Sequence, residues 1–160
     1  MFYRKENIIS FKAKLDDRYS KVGEIVTHNF NKLPAHLVES GEELIKIIAK
    51  NPEIDTVLID ELFLIENSSD ACIELFKKGY NIIASSIDLS FHGEPFKEVK
   101  NIMPYCTKIE KCTAVCPICG KDARYTHKKE QKNSLDRVIQ IGGDELYEPR
   151  CQEHYNYMQQ

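Results

Sequence analysis

The stretch Thr56-Val57-Leu58-Ile59-Asp60-Glu61 is a short, uninterrupted apolar run that ends in two carboxylates. A run of this kind predicts a strand that is buried on both faces of a sheet. A second apolar run covers residues 81–87 and ends before Asp88. Because a segment with helical spacing separates the two runs, we expect two parallel strands joined by a helix.

Signals for further elements surround these two strands. Ser40 is a candidate N-cap for a helix over residues 40–50, and Glu43 completes a capping box. Helices are also expected over residues 68–78, where Gly79 closes the helix, and over residues 95–105. Further strands are expected at residues 8–13, 24–28 and 108–115. Strands that alternate with helices predict an α/β fold whose parallel sheet is covered on both faces.

Four residues of metal-binding type stand in two close pairs, Cys116 with Cys119 and Cys151 with His154. Two intervening residues let both members of a pair reach one tetrahedral ion, and four such ligands make a closed zinc site. Gly120 stands where a knuckle turn needs positive φ. Disulfides and unrelated free thiols are the alternatives, and the spacing favours zinc. We expect residues 1–112 to form the α/β core and residues 113–160 a small zinc-ribbon lobe.

The composition is typical of a cytoplasmic protein. The chain carries 22 Lys and Arg against 25 Asp and Glu, so no global field recruits nucleic acid or an anionic membrane. No apolar run reaches the length of a membrane span, and charges interrupt the first residues where a signal peptide would be apolar. Cys72, Cys106 and Cys112 lie in apolar patterns, so we expect them to be buried free thiols in a reducing compartment.

Two groups of residues could carry chemistry at the sheet edge. Asp60, Glu61 and Asp88 follow parallel strands, and the carboxyl ends of such strands form the usual ligand crevice. A magnesium-binding acid beside a general base would have this pattern, although strand-end charges that turn toward solvent would have it too. The turn Phe91-His92-Gly93-Glu94-Pro95-Phe96 either walls a flat ligand by stacking or anchors the start of a helix.

Several segments occur in a fixed order along the chain. They are Phe11-Lys12, Asp16-Asp17-Arg18-Tyr19, Thr27-His28, Ile59-Asp60-Glu61, Asp88-Leu-Ser-Phe-His-Gly-Glu-Pro-Phe96, Thr113-Ala-Val-Cys-Pro-Ile-Cys119, Ala123-Arg-Tyr-Thr126 and Ile141-Gly-Gly-Asp-Glu-Leu-Tyr147. In this order they resemble the type II thymidine kinases, from about residue 8 to residue 155. The resemblance implies ATP-dependent 5′-phosphorylation of thymidine in nucleoside salvage for DNA synthesis, with Mg²⁺ beside ATP, a structural zinc and a homo-tetramer.

The same resemblance assigns roles to individual residues. Glu61 would take the proton from the 5′-hydroxyl of thymidine, and Asp60 would help to hold Mg²⁺. The stretch near the nucleotide phosphates corresponds to Asp16, Asp17 and Arg18. The residues that contact thymine correspond to Phe91, Val138, Ile139, Gln140, Ile141, Gly142 and Tyr147. The zinc ligands of the lid correspond to Cys116, Cys119, Cys151 and His154.

Departures from the family pattern bear on activity. Members begin with a strand, a glycine-rich phosphate loop and a helix, and this sequence starts near the strand that comes after them. We therefore expect a sheet of P-loop NTPase type without its first strand and helix, and little or no activity from this chain alone. No G-x-x-x-x-G-K-[ST] pattern occurs in these residues. Phe63 replaces the family's Gln, and His92 replaces its Arg.

Three functions stay open on the sequence. The first is a thymidine kinase, either truncated or completed by a separate chain, and Glu61 favours it. The second is a non-catalytic, thymidine-binding or interface paralogue, which Phe63 and His92 favour. The third is a zinc-ribbon nucleic-acid binder, because residues 108–137 hold eight Lys and Arg against four acids. Without interleaved exposed aromatics, that basic excess is more typical of a solvated face.

Overall fold

The computed structural model describes residues 7–15, 24–26, 32–129 and 146–155. Strand β1 (Ile8–Ala13) precedes an antiparallel pair, β2 (Glu24–Val26) and β3 (Lys32–Pro34), and then β4 (His36–Val38). Strands β5 (Thr56–Asp60) and β6 (Asn81–Ala84) come next along the chain. The main sheet is parallel, in the order β4-β1-β5-β6. This confirms the predicted α/β class.

The two central strands carry the core of this sheet. Phe11 on β1 and Val57 on β5 are fully buried, which fits the apolar runs that predicted them. Strand β6 differs, because Ile83 is 53% exposed. The expectation of a sheet covered on both faces is therefore wrong at β6, which is an edge strand among the described residues. Strand β6 also ends at Ala84, before the predicted end at Ile87.

Helices α1 (Gly41–Ile48) and α2 (Ser68–Lys77) pack with these strands, and α3 (Lys97–Ile102) packs on α2. The Oγ atom of Ser40 accepts a 3.4 Å hydrogen bond from the Glu43 N–H, so the predicted N-cap is confirmed. The carboxylate of Glu43 accepts from the N–H of Glu39, at 2.9 Å, one residue before the position that a standard capping box would use. Gly79, with a φ of 91°, comes just after α2 as predicted.

The structure corrects three predictions after β6. Helix α3 begins at Lys97, two positions after Pro95. The predicted strand at residues 108–115 is wrong, because only Ala114 and Val115 are extended in a ladder. That ladder is a small hairpin outside the main sheet. Cys72 is buried as expected, but Cys106 and Cys112 are exposed, because in the described ranges they lie outside the main sheet and its core.

The chain forms two compact units. The first comprises residues 1–87 and 97–106 and contains the parallel sheet with its helices. The second comprises residues 88–96 and 107–160. Its described part contains the hairpin of β7 (Ala114–Val115) with β8 (Asp122–Ala123) and that of β9 (Tyr125–Lys128) with β10 (Tyr147–Arg150). The division after residue 112 that the sequence suggests stays a prediction. Within the described part of the chain, no helix has the length and apolar character to cross a membrane.

Candidate functional site

Asp60 is the last residue of β5, and hydrogen bonds fix the chain on its carboxyl side. Its Oδ1 atom accepts a 2.7 Å hydrogen bond from the hydroxyl of Ser85, which stands just after β6. The Ser85 carbonyl in turn accepts a 3.0 Å bond from the N–H of Leu62. These bonds hold the chain after β5 against the chain after β6. A carboxylate oriented in this way, at the carboxyl end of a parallel strand, is a suitable ligand for Mg²⁺.

Glu61 has a left-handed backbone conformation, with φ 54° and ψ 51°. A short 3₁₀ turn over Leu62–Leu64 comes directly after it. The carbonyl of Leu62 accepts a 2.9 Å bond from the buried hydroxyl of Ser68 at the start of α2. Since a side chain with a Cβ atom makes this conformation unfavourable, the surrounding bonds impose it. Backbone strain of this kind is concentrated at functional sites, and here it sets the direction of a carboxylate.

Lys12 adds a buried cation to the same edge of the sheet. It is 2% exposed, and it pairs with Asp60 in the register of β1 and β5. Residues paired in adjacent parallel strands have side chains on the same sheet face. Sequence reasoning included Lys12 in a family motif without giving it a role. The sequence feature that could have identified it is the position of a lysine inside the apolar strand Ile8–Ala13, because a buried charge is unfavourable without a partner.

Phe91 lies in a tight turn of the second unit. The N–H of Ser90 donates to the carbonyl of Glu94 at 2.8 Å, and the N–H of Gly93 donates to the carbonyl of Ser90 at 2.9 Å. Gly93 has a φ of 76°, which this turn requires. Asp88, at the base of the turn, forms a 2.8 Å ion pair with Lys111. The turn is therefore closed by its own backbone bonds.

An aromatic cluster surrounds Phe91, which is 7% exposed. The centroid of the His92 ring lies 3.9 Å from that of Phe91, and the Tyr147 centroid lies 6.1 Å away. The Nζ atom of Lys128 is 5.1 Å from the Phe91 centroid, within the range of a cation–π contact. Burial raises the pKa of the Tyr147 phenol above its ordinary value. Sequence reasoning missed Lys128, because a basic residue at the end of the short strand β9 gives no further signal in the sequence.

The four predicted metal ligands lie together in the second unit. The ligand atoms of Cys116, Cys119, Cys151 and His154 are all within 4.8 Å of one another. The sulfurs of Cys119 and Cys151 are 3.6 Å apart, and the Nδ1 atom of His154 lies 3.2 Å and 3.8 Å from the sulfurs of Cys151 and Cys116. Tetrahedral zinc requires about 3.8 Å between two sulfurs and about 3.6 Å between sulfur and nitrogen. The donor set and its spacing therefore fit zinc.

Two knuckle turns present these ligands. In the first, the Gly120 N–H donates to the Cys116 carbonyl at 2.8 Å, and Gly120 has a φ of 73°, as the sequence predicted. In the second, the N–H groups of His154 and Tyr155 both donate to the Cys151 carbonyl, at 3.1 Å and 2.9 Å. Cys116 and Cys151 are buried together with Ala123. All six cysteines are free thiols, so the disulfide alternative has no support here.

The thiols of this cluster differ in acidity. Burial alone would raise the pKa of Cys116, but backbone N–H groups of Cys151, Ile118 and Cys119 stabilise its thiolate and lower the pKa to about 6. For Cys119, the Lys121 N–H lowers the pKa, but burial and the neighbouring thiols outweigh it and raise the pKa. A bound divalent cation would offset the repulsion between neighbouring thiolates, because it stabilises every thiolate in the cluster.

The predicted catalytic, nucleotide-binding and thymine-binding residues divide into three groups. Asp60 and Glu61 are adjacent in the first unit, and Phe91 and Tyr147 are in aromatic contact in the second. The other predicted nucleotide- and thymine-binding residues lie outside the described ranges; they are Asp16, Asp17, Arg18, Val138, Ile139, Gln140, Ile141 and Gly142. Sequence reasoning also missed Tyr155, whose hydroxyl donates a buried 2.6 Å hydrogen bond to the Phe91 carbonyl.

Comparisons with known proteins agree on one family. A family model described as thymidine kinase matches residues 1–155. A thymidine kinase from Onion yellows phytoplasma (strain OY-M) is 35% identical over 154 residues, which is 94% of this chain and 73% of the relative. A thymidine kinase from Aster yellows witches'-broom phytoplasma (strain AYWB) is 35% identical over 155 residues, again 94% of this chain and 73% of the relative.

Proposed function

This chain belongs to the thymidine kinase family, and we propose that it binds thymidine and takes part in transferring the γ-phosphoryl group of ATP to the 5′-hydroxyl. The observation that carries the proposal is the pair Asp60 and Glu61 at the carboxyl end of β5, with Glu61 held in a left-handed conformation. A carboxylate fixed next to a second one supplies both a base and a metal ligand for phosphoryl transfer.

In this mechanism Glu61 accepts the proton from the 5′-hydroxyl of thymidine. The hydroxyl oxygen then forms its bond to the γ-phosphorus, and the bond from that phosphorus to the leaving oxygen of ADP breaks. Asp60, oriented by the Ser85 hydroxyl at 2.7 Å, would hold Mg²⁺. That ion, when bound, offsets the negative charge that builds on the phosphate oxygens.

Phosphate binding needs more than the two carboxylates. These 160 residues contain no G-x-x-x-x-G-K-[ST] pattern, which in this mechanism supplies backbone N–H groups and a lysine to the β- and γ-phosphates. We therefore propose that efficient transfer requires a phosphate-binding segment beyond these residues. Asp16, Asp17 and Arg18 are proposed to lie near the phosphates.

Thymidine binding is assigned to the second unit. Phe91 and Tyr147 are proposed to pack against a pyrimidine ring, and Val138, Ile139, Gln140, Ile141 and Gly142 are proposed to contact it through their main chain. Cys116, Cys119, Cys151 and His154 are proposed to hold one structural zinc. That ion would stabilise both hairpins of this unit, as in other closed sites with four ligands.

A second function, thymidine binding without catalysis, is favoured by Phe63. This residue stands where the family has Gln, and its ring cannot donate a hydrogen bond to phosphate or water. In the structure its N–H donates to the Ser86 hydroxyl at 3.3 Å, so it is part of the turn that comes after Glu61. A protein of this type would bind thymidine and leave it unmodified.

Binding and turnover experiments separate the two functions. Calorimetry on the zinc-loaded chain should give tighter binding of thymidine than of cytidine, and Tyr147→Ala should weaken thymidine binding by roughly five-fold or more. Tyr105→Ala, at an exposed tyrosine of the first unit, is the control and should leave binding unchanged. Equal affinity for both nucleosides would contradict a thymidine site.

Turnover is then measured with a family phosphate-loop segment joined ahead of Ile8. The 160-residue chain alone should show negligible phosphorylation of thymidine, and the extended chain should show activity that Glu61→Gln removes. If the extended chain becomes active only after Phe63→Gln, the binding function is the better description. Robust turnover by the 160-residue chain would contradict the proposed need for a further segment.

A further inference from the structure

One hydrogen bond joins the second metal-binding knuckle to the turn that carries Phe91. The Tyr155 hydroxyl donates to the Phe91 carbonyl at 2.6 Å, across 64 residues of sequence. Tyr155 is 5% exposed and Phe91 is 7% exposed, so water competes little for either group. Loss of the hydroxyl would leave a buried carbonyl without this donor, which is unfavourable.

Tyr155 is itself held in place from the metal-binding side. It follows the ligand His154 directly, and its N–H donates to the carbonyl of the ligand Cys151 at 2.9 Å. Its ring stacks on Tyr125 of β9, with centroids 4.7 Å apart and an angle of 14° between the rings. The position of the phenol therefore depends on the knuckle and on β9, and the rigid ring transmits that position to the hydroxyl.

The Phe91 turn, by contrast, gains its shape and its location from different bonds. Its internal bonds, between Ser90 and Glu94 and between Gly93 and Ser90, close the turn on itself. The bond from Tyr155 connects Phe91 to a distant part of the same unit. Internal bonds preserve the turn if the Tyr155 hydroxyl is removed, but the placement of Phe91 would then be less restricted.

We propose that Tyr155 is a positioning residue for nucleoside binding: through its hydroxyl, the knuckle formed by Cys151 and His154 fixes the turn that carries Phe91. The inference rests on the proposed thymidine site for its functional consequence. It assigns the metal a second effect, since an occupied knuckle holds Tyr155 and thereby Phe91. Metal loss then weakens thymidine binding through one side chain that is not itself a ligand.

Tyr155→Phe tests this, because it keeps the ring and its stacking on Tyr125 and removes only the donor. Tyr105→Phe, at a tyrosine that is 43% exposed, is the matched control. Three measurements are made on zinc-loaded protein: zinc per chain, thymidine affinity by calorimetry, and amide hydrogen exchange of residues 88–96. We expect unchanged zinc, faster exchange in those residues, and thymidine binding weakened about three- to ten-fold, the effect of one net hydrogen bond.

Removal of zinc with a chelator tests whether the metal acts on the Phe91 turn through Tyr155. Removal of zinc from the wild-type chain should speed amide exchange in residues 88–96. Removal of zinc from the Tyr155→Phe variant should give a clearly smaller increase in that exchange rate. Such non-additivity is the mark of two changes that act through one contact. An equal increase in both proteins would overturn the proposed route.

Other results would overturn either the role of Tyr155 or the proposed thymidine site. Unchanged exchange and affinity in Tyr155→Phe would overturn the inference, and so would loss of zinc from that variant, since Tyr155 would then act on the knuckle itself. If the wild-type chain binds no thymidine, the proposed function fails. The exchange measurements would still show whether Tyr155 positions Phe91.

Discussion

Glu61 and Asn67 share one backbone conformation, with φ of 54° and 53°, at the two ends of the segment that links β5 to α2. They are the non-glycine residues with positive φ in the described part of the chain. Asparagine tolerates this conformation well, and glutamate does so poorly. The segment therefore has a suitable residue at one end and an unsuitable one at the end that is proposed to be catalytic.

Exchanging residue types at these two positions should affect stability in opposite directions. Glu61→Asn should raise the free energy of unfolding by about 0.5–1 kcal/mol, because it relieves backbone strain at a residue that is proposed to be catalytic. Asn67→Glu should lower it by about 1 kcal/mol. Urea denaturation of both variants measures the two changes, and a loss of stability in Glu61→Asn would show that the glutamate is not strained.

Zinc should be present at one ion per chain. Cys116→Ser should abolish it, and Cys106→Ser, at an exposed thiol outside the cluster, should not. Because structural zinc contributes about 10–16 kcal/mol of apparent binding free energy, its loss should unfold the two knuckles and the hairpins of the second unit. Metal analysis with circular dichroism checks both results. Equal zinc in the two variants would refute this ligand set.

The six free cysteines should react with iodoacetamide in three classes. Cys106 and Cys112 are exposed and should react first in zinc-loaded protein at pH 8. The three cluster thiols should react only after chelation, since metal coordination protects thiolates.

Cys72 forms the last class in this reaction. Burial raises its pKa to about 12, so at pH 8 it is a neutral thiol, and only the thiolate is alkylated rapidly. It should therefore react only in denaturant. Mass spectrometry counts the modified residues at each stage, and early modification of Cys72 would contradict its burial.

Glu98 should stabilise the first unit through the start of α2. It is 6% exposed, and its Oε2 atom accepts bonds from the Ser69 N–H at 2.8 Å and the Ser69 hydroxyl at 2.7 Å. A carboxylate there satisfies an N–H of the first helical turn and faces the positive end of the helix dipole. Glu98→Ala should lower the free energy of unfolding by about 2 kcal/mol.

Two further variants test whether the stabilisation comes from the hydrogen bonds between Glu98 and Ser69. Glu98→Gln keeps an acceptor oxygen and should cost less, about 1 kcal/mol. Glu110→Ala removes an exposed acid that pairs with Lys108, and it should change stability by no more than about 0.5 kcal/mol. If all three substitutions cost the same, Glu98 is not a specific partner of Ser69.

Local signals in the sequence predicted the central part of the fold. The apolar runs at β1 and β5 and the cap at Ser40 need only short-range patterns, and the structure confirms them. The same signals failed at residues 108–115, where a short stretch with several apolar residues resembles a strand but no sheet edge in the described ranges accepts residues 108–113. Periodicity describes which residues a strand could bury, and it does not identify the partner strand.

In the candidate site, too, local patterns predicted some features and missed others. Ligand spacing predicted the cluster of Cys116, Cys119, Cys151 and His154, because a tetrahedral ion restricts both residue type and separation. Spacing could not predict that the Tyr155 hydroxyl bonds the Phe91 carbonyl, since no local pattern connects residues that are 64 positions apart. Nor could it predict the left-handed conformation of Glu61, which neighbouring hydrogen bonds impose.

The long reach of the Tyr155 hydrogen bond also has a consequence for biosynthesis. A ribosome adds about 5–20 residues per second, so the chain between Phe91 and Tyr155 takes roughly 3–13 s to make. During the later part of that interval the nascent chain carries the first knuckle, with Cys116 and Cys119, but not yet the second pair of ligands. The emerging protein therefore passes through a period in which two thiols are open to oxidants and the Phe91 turn lacks its anchor, and an ion could be held by all four ligands only after that period.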